Sequence, residues 1–239
     1  MTVLSVAVVG AFGRMGAVTC DAVDAEEDLE LVARVGSDDA LETVVEAGAA
    51  VAVEFTQPDS VFGNACWLLD HGVHTVVGAS GLDDGQLAQL ERRTGAANCM
   101  VVPNFAIGAV LMMRLAEQVA AHLPQAEVIE AHHEGKADAP SGTALRTAAR
   151  IAAGRTAPVT VPGPAGHPAR GLDRNDVPVH SVRLPGVVAS QVVVFGATGQ
   201  TLTIRHDSID RSSFMPGVLL AVRAIVDLPG LTVGLDALL

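Results

Sequence analysis

The stretch VLSVAVVGAFGRMG, residues 3–16, decides the architecture. It opens on a nearly unbroken run of apolar, often β-branched residues, the pattern of a strand covered on both faces, and such strands belong to parallel sheets. Glycines at 10, 13 and 16 follow at once, and the Ala-rich segment from Arg14 to Val23 predicts a helix entered through them. Glycine permits the tight turn and lets the backbone approach a pyrophosphate, whose charge a helix N-terminus favours. The spacing G-x-x-G-x-x-G is a variant of the dinucleotide fingerprint G-x-G-x-x-G. Arg14 within this turn either reaches a phosphate of the cofactor or lies solvated at the surface. The acid that commonly closes the second strand and binds the adenine ribose is missing: in ARVGSDD, Gly36 stands where it is expected and Asp38 comes two residues late. Both NADH and NADPH stay open as the cofactor.

Working outward, the strand-then-helix pattern repeats. Apolar runs LELVARV, AAVAVEF, HTVVGA and NCMVVPNF end near 35, 55, 79 and 105, with helices expected at about 39–48, 59–71 and 83–94. Such alternation predicts a Rossmann-like parallel sheet with right-handed crossovers. After Asn104 the pattern changes to a long helix at about 107–122, the strand AEVIEAHH, and a helix at about 142–153. A Pro/Gly-rich loop follows, then three strand-like runs, VHSVRL, SQVVVFG and QTLTIRH, the last two forming a hairpin, and a closing helix at about 213–226. The fold class read from this is α/β: a dinucleotide-binding domain over 1–103, completed by 213–239, and a second α+β domain with an open mixed sheet over 104–212. A cleft between two such halves is the natural place for a ligand.

Composition narrows the function. With 49% apolar residues in 239 positions there is ample material for a core. A net charge of −12 argues against nucleic-acid or anionic-membrane partners, which need a basic field. The apolar runs are stopped by Arg114 and Arg223 before they reach the ~20 residues of a membrane span, and no basic residue precedes the N-terminal apolar run as in a signal peptide. A cytoplasmic protein is expected. Cys20, Cys66 and Cys99 lack any C-x-x-C pairing and are read as buried thiols. The complete absence of tyrosine excludes a short-chain dehydrogenase. No G-x-S-x-G elbow supports an acyl-transfer hydrolase, and no basic module supports a redox-sensing regulator.

The second motif is EAHHEGKADAPSGTAL, residues 130–145. Lys136 is the only lysine; the other fourteen of the fifteen Lys and Arg positions are arginine. On a regular strand Glu130 and His132 share one face while Ala131 and His133 share the other, so a turn near Glu134 and Gly135 is needed to bring both rings to one place. Pro140 disfavours helix at Ala139, Ser141 is a strong N-cap, and Gly142 and Thr143 supply first-turn N–H groups. Those donors, the helix dipole and an ammonium group suit a carboxylate. Lysine and histidine, unlike arginine, exchange protons, so the cluster fits hydride transfer with proton delivery. A metal site from His132, His133, Glu134 and Asp138 lacks any H-E-x-x-H or comparable spacing, and no metal is expected.

Along nearly its whole length the chain resembles the dihydrodipicolinate reductases of lysine and diaminopimelate biosynthesis. The segments GAFGRMG, VEFTQPD, VVGASGL, VPNFAIGAV, EAHHEGKADAPSGTA, VHSVRLPGVVASQVVVFG and GQTLTIRHDSIDRSSFMPGVLLAVR carry the likeness, and H-H-x-x-K-x-D-A-P-S-G-T-A is its most specific part. The resemblance implies NAD(P)H-dependent reduction of a cyclic, unsaturated dicarboxylate. It implies His132 as acid/base group, Lys136 as proton donor, and His133, Ser141, Gly142 and Thr143 as substrate contacts. Cofactor contacts are implied at Gly10, Ala11, Phe12, Gly13, Arg14 and Met15, at Gly78, Ala79 and Ser80, and at Val102, Pro103, Asn104 and Phe105. A homotetramer joined through the second domain's sheet is implied as well. GASGL stands where the family commonly has G-T-T-G-F, and Glu54 replaces a common aspartate.

Overall fold

In the computed structural model β1 (Leu4–Val9) is the central strand of a parallel sheet, paired with β2 (Leu29–Val35) on one side and β3 (Val51–Glu54) on the other. The structure describes residues 3–78, 82–161, 163 and 167–239. Successive residues of β1 serve opposite layers. Ala7 and Val9 pack with Val44 of α2 (Glu42–Glu46) and Leu68 of α3 (Pro58–Asp70), whereas Val8 packs against Cys20 of α1 (Arg14–Asp24). Burial on both sides is why this strand reads as a continuous apolar run. Val6, Val8, Val51, Val53 and Val76 have no exposed surface, and each such side chain contributes about 1.5–3 kcal/mol. β4 (His74–Val77), α4 (Asp84–Arg93) and β5 (Cys99–Val101) continue the winding. α4 opens with a capping box in which Asp83 and Gln86 satisfy each other's backbone N–H groups.

Two glycines make the first turn possible. Gly10 has φ +80°, and a Cβ there would lie 2.7 Å from the carbonyl oxygen of Phe55; a Cβ on Gly16 would lie 2.1 Å from that of Gly10. The turn closes only because both lack side chains.

The second unit begins with α5 (Ile107–Ala120), β6 (Gln125–His132) and α6 (Gly142–Gly154). After the Pro/Gly-rich loop come β7 (Leu172–Arg174), β8 (Val177–Arg183), β9 (Ala189–Ala197) and β10 (Gln200–Ser208). α7 (Met215–Ala224) and β11 (Leu231–Val233) then return to the first unit. Among the described residues the strands form two sheets, β11-β5-β4-β3-β1-β2 and β10-β9-β6-β8-β7. The first is all parallel, while in the second only β6 and β8 run parallel. The compact units are Met1–Phe105 with Phe214–Leu239, and Ala106–Ser213. In the second, Ala126 and Val128 of β6 turn toward α5 and α6 in a core centred on Phe195 and Ile151, while Glu127 and Ile129 lie on the opposite face.

Several elements differ from the sequence expectation. The helix expected at 39–48 is confined to Glu42–Glu46, with Gly48 at φ +69° just beyond it. β7 lies inside what reads as loop, and β11 is an addition to the parallel sheet beyond β5. The closing helix is three pieces, with 3-10 turns at Arg211–Phe214 and Ile225–Asp227 flanking α7. The three cysteines are free, and burial pushes the Cys99 thiol up to about 12.

At the start of β4, Nδ1 of His74 accepts from the backbone N–H of Asn98 at 3.0 Å, so that nitrogen is unprotonated. Burial holds the His74 pKa below its usual value. The neutral form is therefore favoured in the folded state, and the stability it contributes is present above about pH 6.5 and lost as pH falls below it. Burial shifts His132 and His206 in the same direction. The melting temperature should fall as pH is lowered from 7 to 5, and His74→Asn, which keeps an acceptor in place, should flatten that slope. An unchanged slope in differential scanning calorimetry would remove His74 from the acid response.

Candidate active site

His132 is the last residue of β6, and period-two alternation sets it on the same face as Glu130. Glu130 is fully buried, and its Oε2 lies 2.5 Å from His132 Nδ1. Arg183, the last residue of β8 and the register partner of His132, closes on the same carboxylate with Nη1 at 3.0 Å from Oε2 and Nη2 at 3.0 Å from Oε1. The backbone N–H of Ser141 donates to Oε1 at 3.3 Å. Burial alone raises the Glu130 pKa, but hydrogen bonds from Arg183, Ser181 and His132 outweigh it and hold the carboxyl below its usual range. For His132 burial dominates the opposing pull of Glu130, so the imidazole titrates below its usual value and is neutral near pH 7.

The chain leaves β6 through a tight turn in which Lys136 N–H donates to the carbonyl of His133 at 3.1 Å. His133 lies just past the strand, with Nδ1 3.4 Å from where a Cβ on Gly135 would stand. Lys136 Nζ is 2.7 Å from Asp138 Oδ1. Burial works upward on Asp138, and the ammonium beside it brings its pKa below the ordinary range. α6 then starts at Gly142, with Ser141 as N-cap accepting from Ala144 N–H at 3.2 Å. Ser141 is 3% exposed, so its hydroxyl serves the helix start, while Gly142 and Thr143 hold the first two helical positions, whose N–H groups point out of the helix end. Through Glu130 and Arg183 the structure ties His132, the turn that carries Lys136 and the start of α6 into one corner of the second unit, with His133 in the turn just beyond the strand.

The positions singled out in the first unit follow the carboxyl ends of its strands, where ligands of such sheets bind. Gly10–Met15 follow β1, Gly78 follows β4 and Val102–Phe105 follow β5. The winding reverses between β1 and β3, where Gly10 meets the backbone of Phe55. α1 begins at Arg14 after Gly13, with no side chain capping it and no acid in its first turn. Such a start fits a pyrophosphate. Phe55 and Phe105 pack edge to face at 5.6 Å. The Phe12 ring is 74% exposed and lies over Gly36, 2.7 Å from where a Cβ would be. Gly36 N–H donates to Asp39 at 2.8 Å. Ala79 and Ser80 lie outside the described residues.

Comparison with known proteins agrees with both halves. Residues 4–105 match the profile of the dihydrodipicolinate reductase N-terminus, and residues 108–239 match that of its C-terminus. The chain belongs to the dihydrodipicolinate reductase family. A 4-hydroxy-tetrahydrodipicolinate reductase of Nocardia farcinica is 54% identical over 246 residues, covering 99% of this chain and 98% of the relative. One from Streptomyces griseus is 50% identical, with 99% and 98% covered. A solved dihydrodipicolinate reductase from Paenisporosarcina sp. TG-14, with dipicolinate bound, is 36% identical with a TM-score of 0.86 and full coverage of both chains. An amine dehydrogenase of Mycobacterium smegmatis, 13% identical with a TM-score of 0.67, shares the fold alone.

Sequence reasoning passed over Glu130 and Arg183 as functional positions. A glutamate two places before a histidine in an otherwise apolar strand was the available signal for the first. For the second, the family-like run VHSVRLPGVVASQVVVFG marked the neighbourhood but not the role, because Arg183 reaches the corner only through the parallel pairing of β8 with β6.

Proposed function

We propose that the corner formed by His132, His133, Lys136 and the start of α6 binds and protonates the dicarboxylate substrate of this reductase. The chain is an NAD(P)H-dependent oxidoreductase that reduces 4-hydroxy-tetrahydrodipicolinate to tetrahydrodipicolinate in lysine and diaminopimelate biosynthesis. The observation that carries the residue assignment is the gathering of the single lysine, the imidazole held by Glu130 and the Ser141-capped start of α6 around one turn of chain.

The reduced nicotinamide, when bound, supplies a hydride. This chain supplies the matching proton, from the Lys136 ammonium, which is left as the neutral amine and is reprotonated by solvent, while the 4-hydroxyl of the substrate leaves as water, so that hydride, proton and lost water balance. His132, with its hydrogen on Nδ1, presents Nε2 as the acceptor. The N–H groups of Gly142 and Thr143 hold one carboxylate, Ser141 fixes the turn beneath them, and His133 takes the other. Fixing both carboxylates orients the ring for attack. Gly10 to Met15 wrap the pyrophosphate of the dinucleotide, with Gly78, Ala79, Ser80 and Val102 to Phe105 along the rest of it. Between positions 35 and 91 the sequence has no lysine or arginine, while Asp38 and Asp39 lie at the end of β2; a 2′-phosphate there meets two carboxylates, and NADH is the better donor. The half-exposed face of the second sheet, with Ile129 at 39%, is assigned to homotetramer assembly. No helix among the described residues is long and apolar enough to cross a membrane; a role in amino-acid biosynthesis supports a cytoplasmic location.

Two measurements test this. With substrate generated from pyruvate and aspartate semialdehyde, Lys136→Ala should lower kcat by roughly 10²–10⁴-fold, the usual worth of a positioned proton donor, and leave dinucleotide binding near normal. Near-normal turnover would remove Lys136 from the mechanism. In steady-state comparison, kcat/KM should be higher with NADH than with NADPH. A tenfold preference for NADPH would instead assign the 2′-phosphate to Arg14.

A further inference from the structure

Glu130 sits where a carboxylate is costly to place, with no exposed surface. Its oxygens accept from Arg183 Nη1 and Nη2 and from the Ser141 backbone N–H. An ionised carboxylate has no hydrogen to give, so the 2.5 Å contact with His132 Nδ1 requires the imidazole hydrogen to be on Nδ1. A histidine free of such a partner is under no such constraint, because the tautomer follows the hydrogen bond that the ring makes. Arg183 does more than neutralise the carboxylate. Its Nη2 donates to the carbonyl of Asp138 at 2.5 Å and its Nε to that of Lys136 at 3.4 Å, while Leu184 N–H donates to the carbonyl of His132 at 3.1 Å. One guanidinium therefore spans the strand end that carries His132, the turn that carries Lys136, and, through Glu130, the cap of α6.

We infer that Glu130 and Arg183 are positioning residues: together they lock His132 as the Nδ1–H tautomer with Nε2 as the acceptor, and fix the 133–141 turn that presents Lys136. What His132 and Lys136 then do rests on the function proposed above; how they are held does not. A buried pair of this kind gives little stability over an apolar pair of equal volume, whereas the planar, forked guanidinium is the group suited to bridging a carboxylate and two carbonyls at fixed angles. The corner needs its geometry more than its charge. Lysine at 183 conserves the charge and loses the fork.

The direct test needs neither substrate nor a variant of the pair. In the wild-type enzyme labelled with ¹⁵N-histidine, long-range ¹H–¹⁵N spectra near pH 7.5, with His132 assigned through His132→Asn, should show Nδ1 protonated and Nε2 bare. The opposite tautomer would overturn the inference. Kinetically, Glu130→Gln and Arg183→Lys should each lower kcat by roughly 10–100-fold, the usual cost of losing a group that orients a functional histidine. KM for the dinucleotide should stay unchanged, and the pH profile of kcat should shift. Folded variants with wild-type kcat and pH profile would show a stability role only and would overturn the positioning role. Should neither variant fold, the wild-type tautomer decides. The reductase reading fails separately, if His132→Asn and Lys136→Ala both turn over normally while the tautomer is as inferred.

Discussion

A carboxylate with no access to water organises the second unit. Glu130 is tolerable on β6 because three elements bring it donors: Arg183 and Ser181 from β8, His132 from its own strand and the Ser141 N–H from the cap of α6. Remove any one and a buried acceptor is left short, at a cost of about 1–3 kcal/mol or more for a charged group. The constraint acts in both directions. It obliges β6 and β8 to end in register and α6 to start where it does, and in meeting it the chain sets an imidazole, an ammonium group and a helix start side by side.

The first unit answers to a different constraint. A parallel sheet whose strands are covered on both faces offers a ligand only the ends of those strands. At the end of β1 the backbone has to pass Phe55 and double back onto itself within van der Waals contact, which Gly10 and Gly16 alone permit. The same compactness leaves the start of α1 uncapped and free of acids, so the turn that sequence pattern marks as a dinucleotide motif is also the one anionic groups would favour electrostatically.

How much of this could be read in the chain beforehand follows from the range of each interaction. The opening strand, the glycine turn, the α6 cap and the His-His-Lys run are local, and their residues stand within a few positions of one another; all were legible. β11 was not, since three residues gain strand character only by pairing with β5, more than a hundred positions earlier. β7 was hidden for the same reason inside a Pro/Gly-rich loop. α2 was overestimated at both ends: it starts only at Glu42, after Leu41 as N-cap, and stops at Glu46, two residues before Gly48 takes a left-handed conformation. At the site, Glu130 was placed on the right face but its role was missed, because its meaning depends on Arg183, which stands 53 positions away in sequence.

The dependence of the corner on that pair is most directly tested by a double-mutant cycle on kcat/KM, combining Glu130→Gln with Arg183→Met. If both act through one carboxylate–guanidinium unit, the double variant should be no worse than the more damaged single variant. Losses that multiply independently would contradict the account.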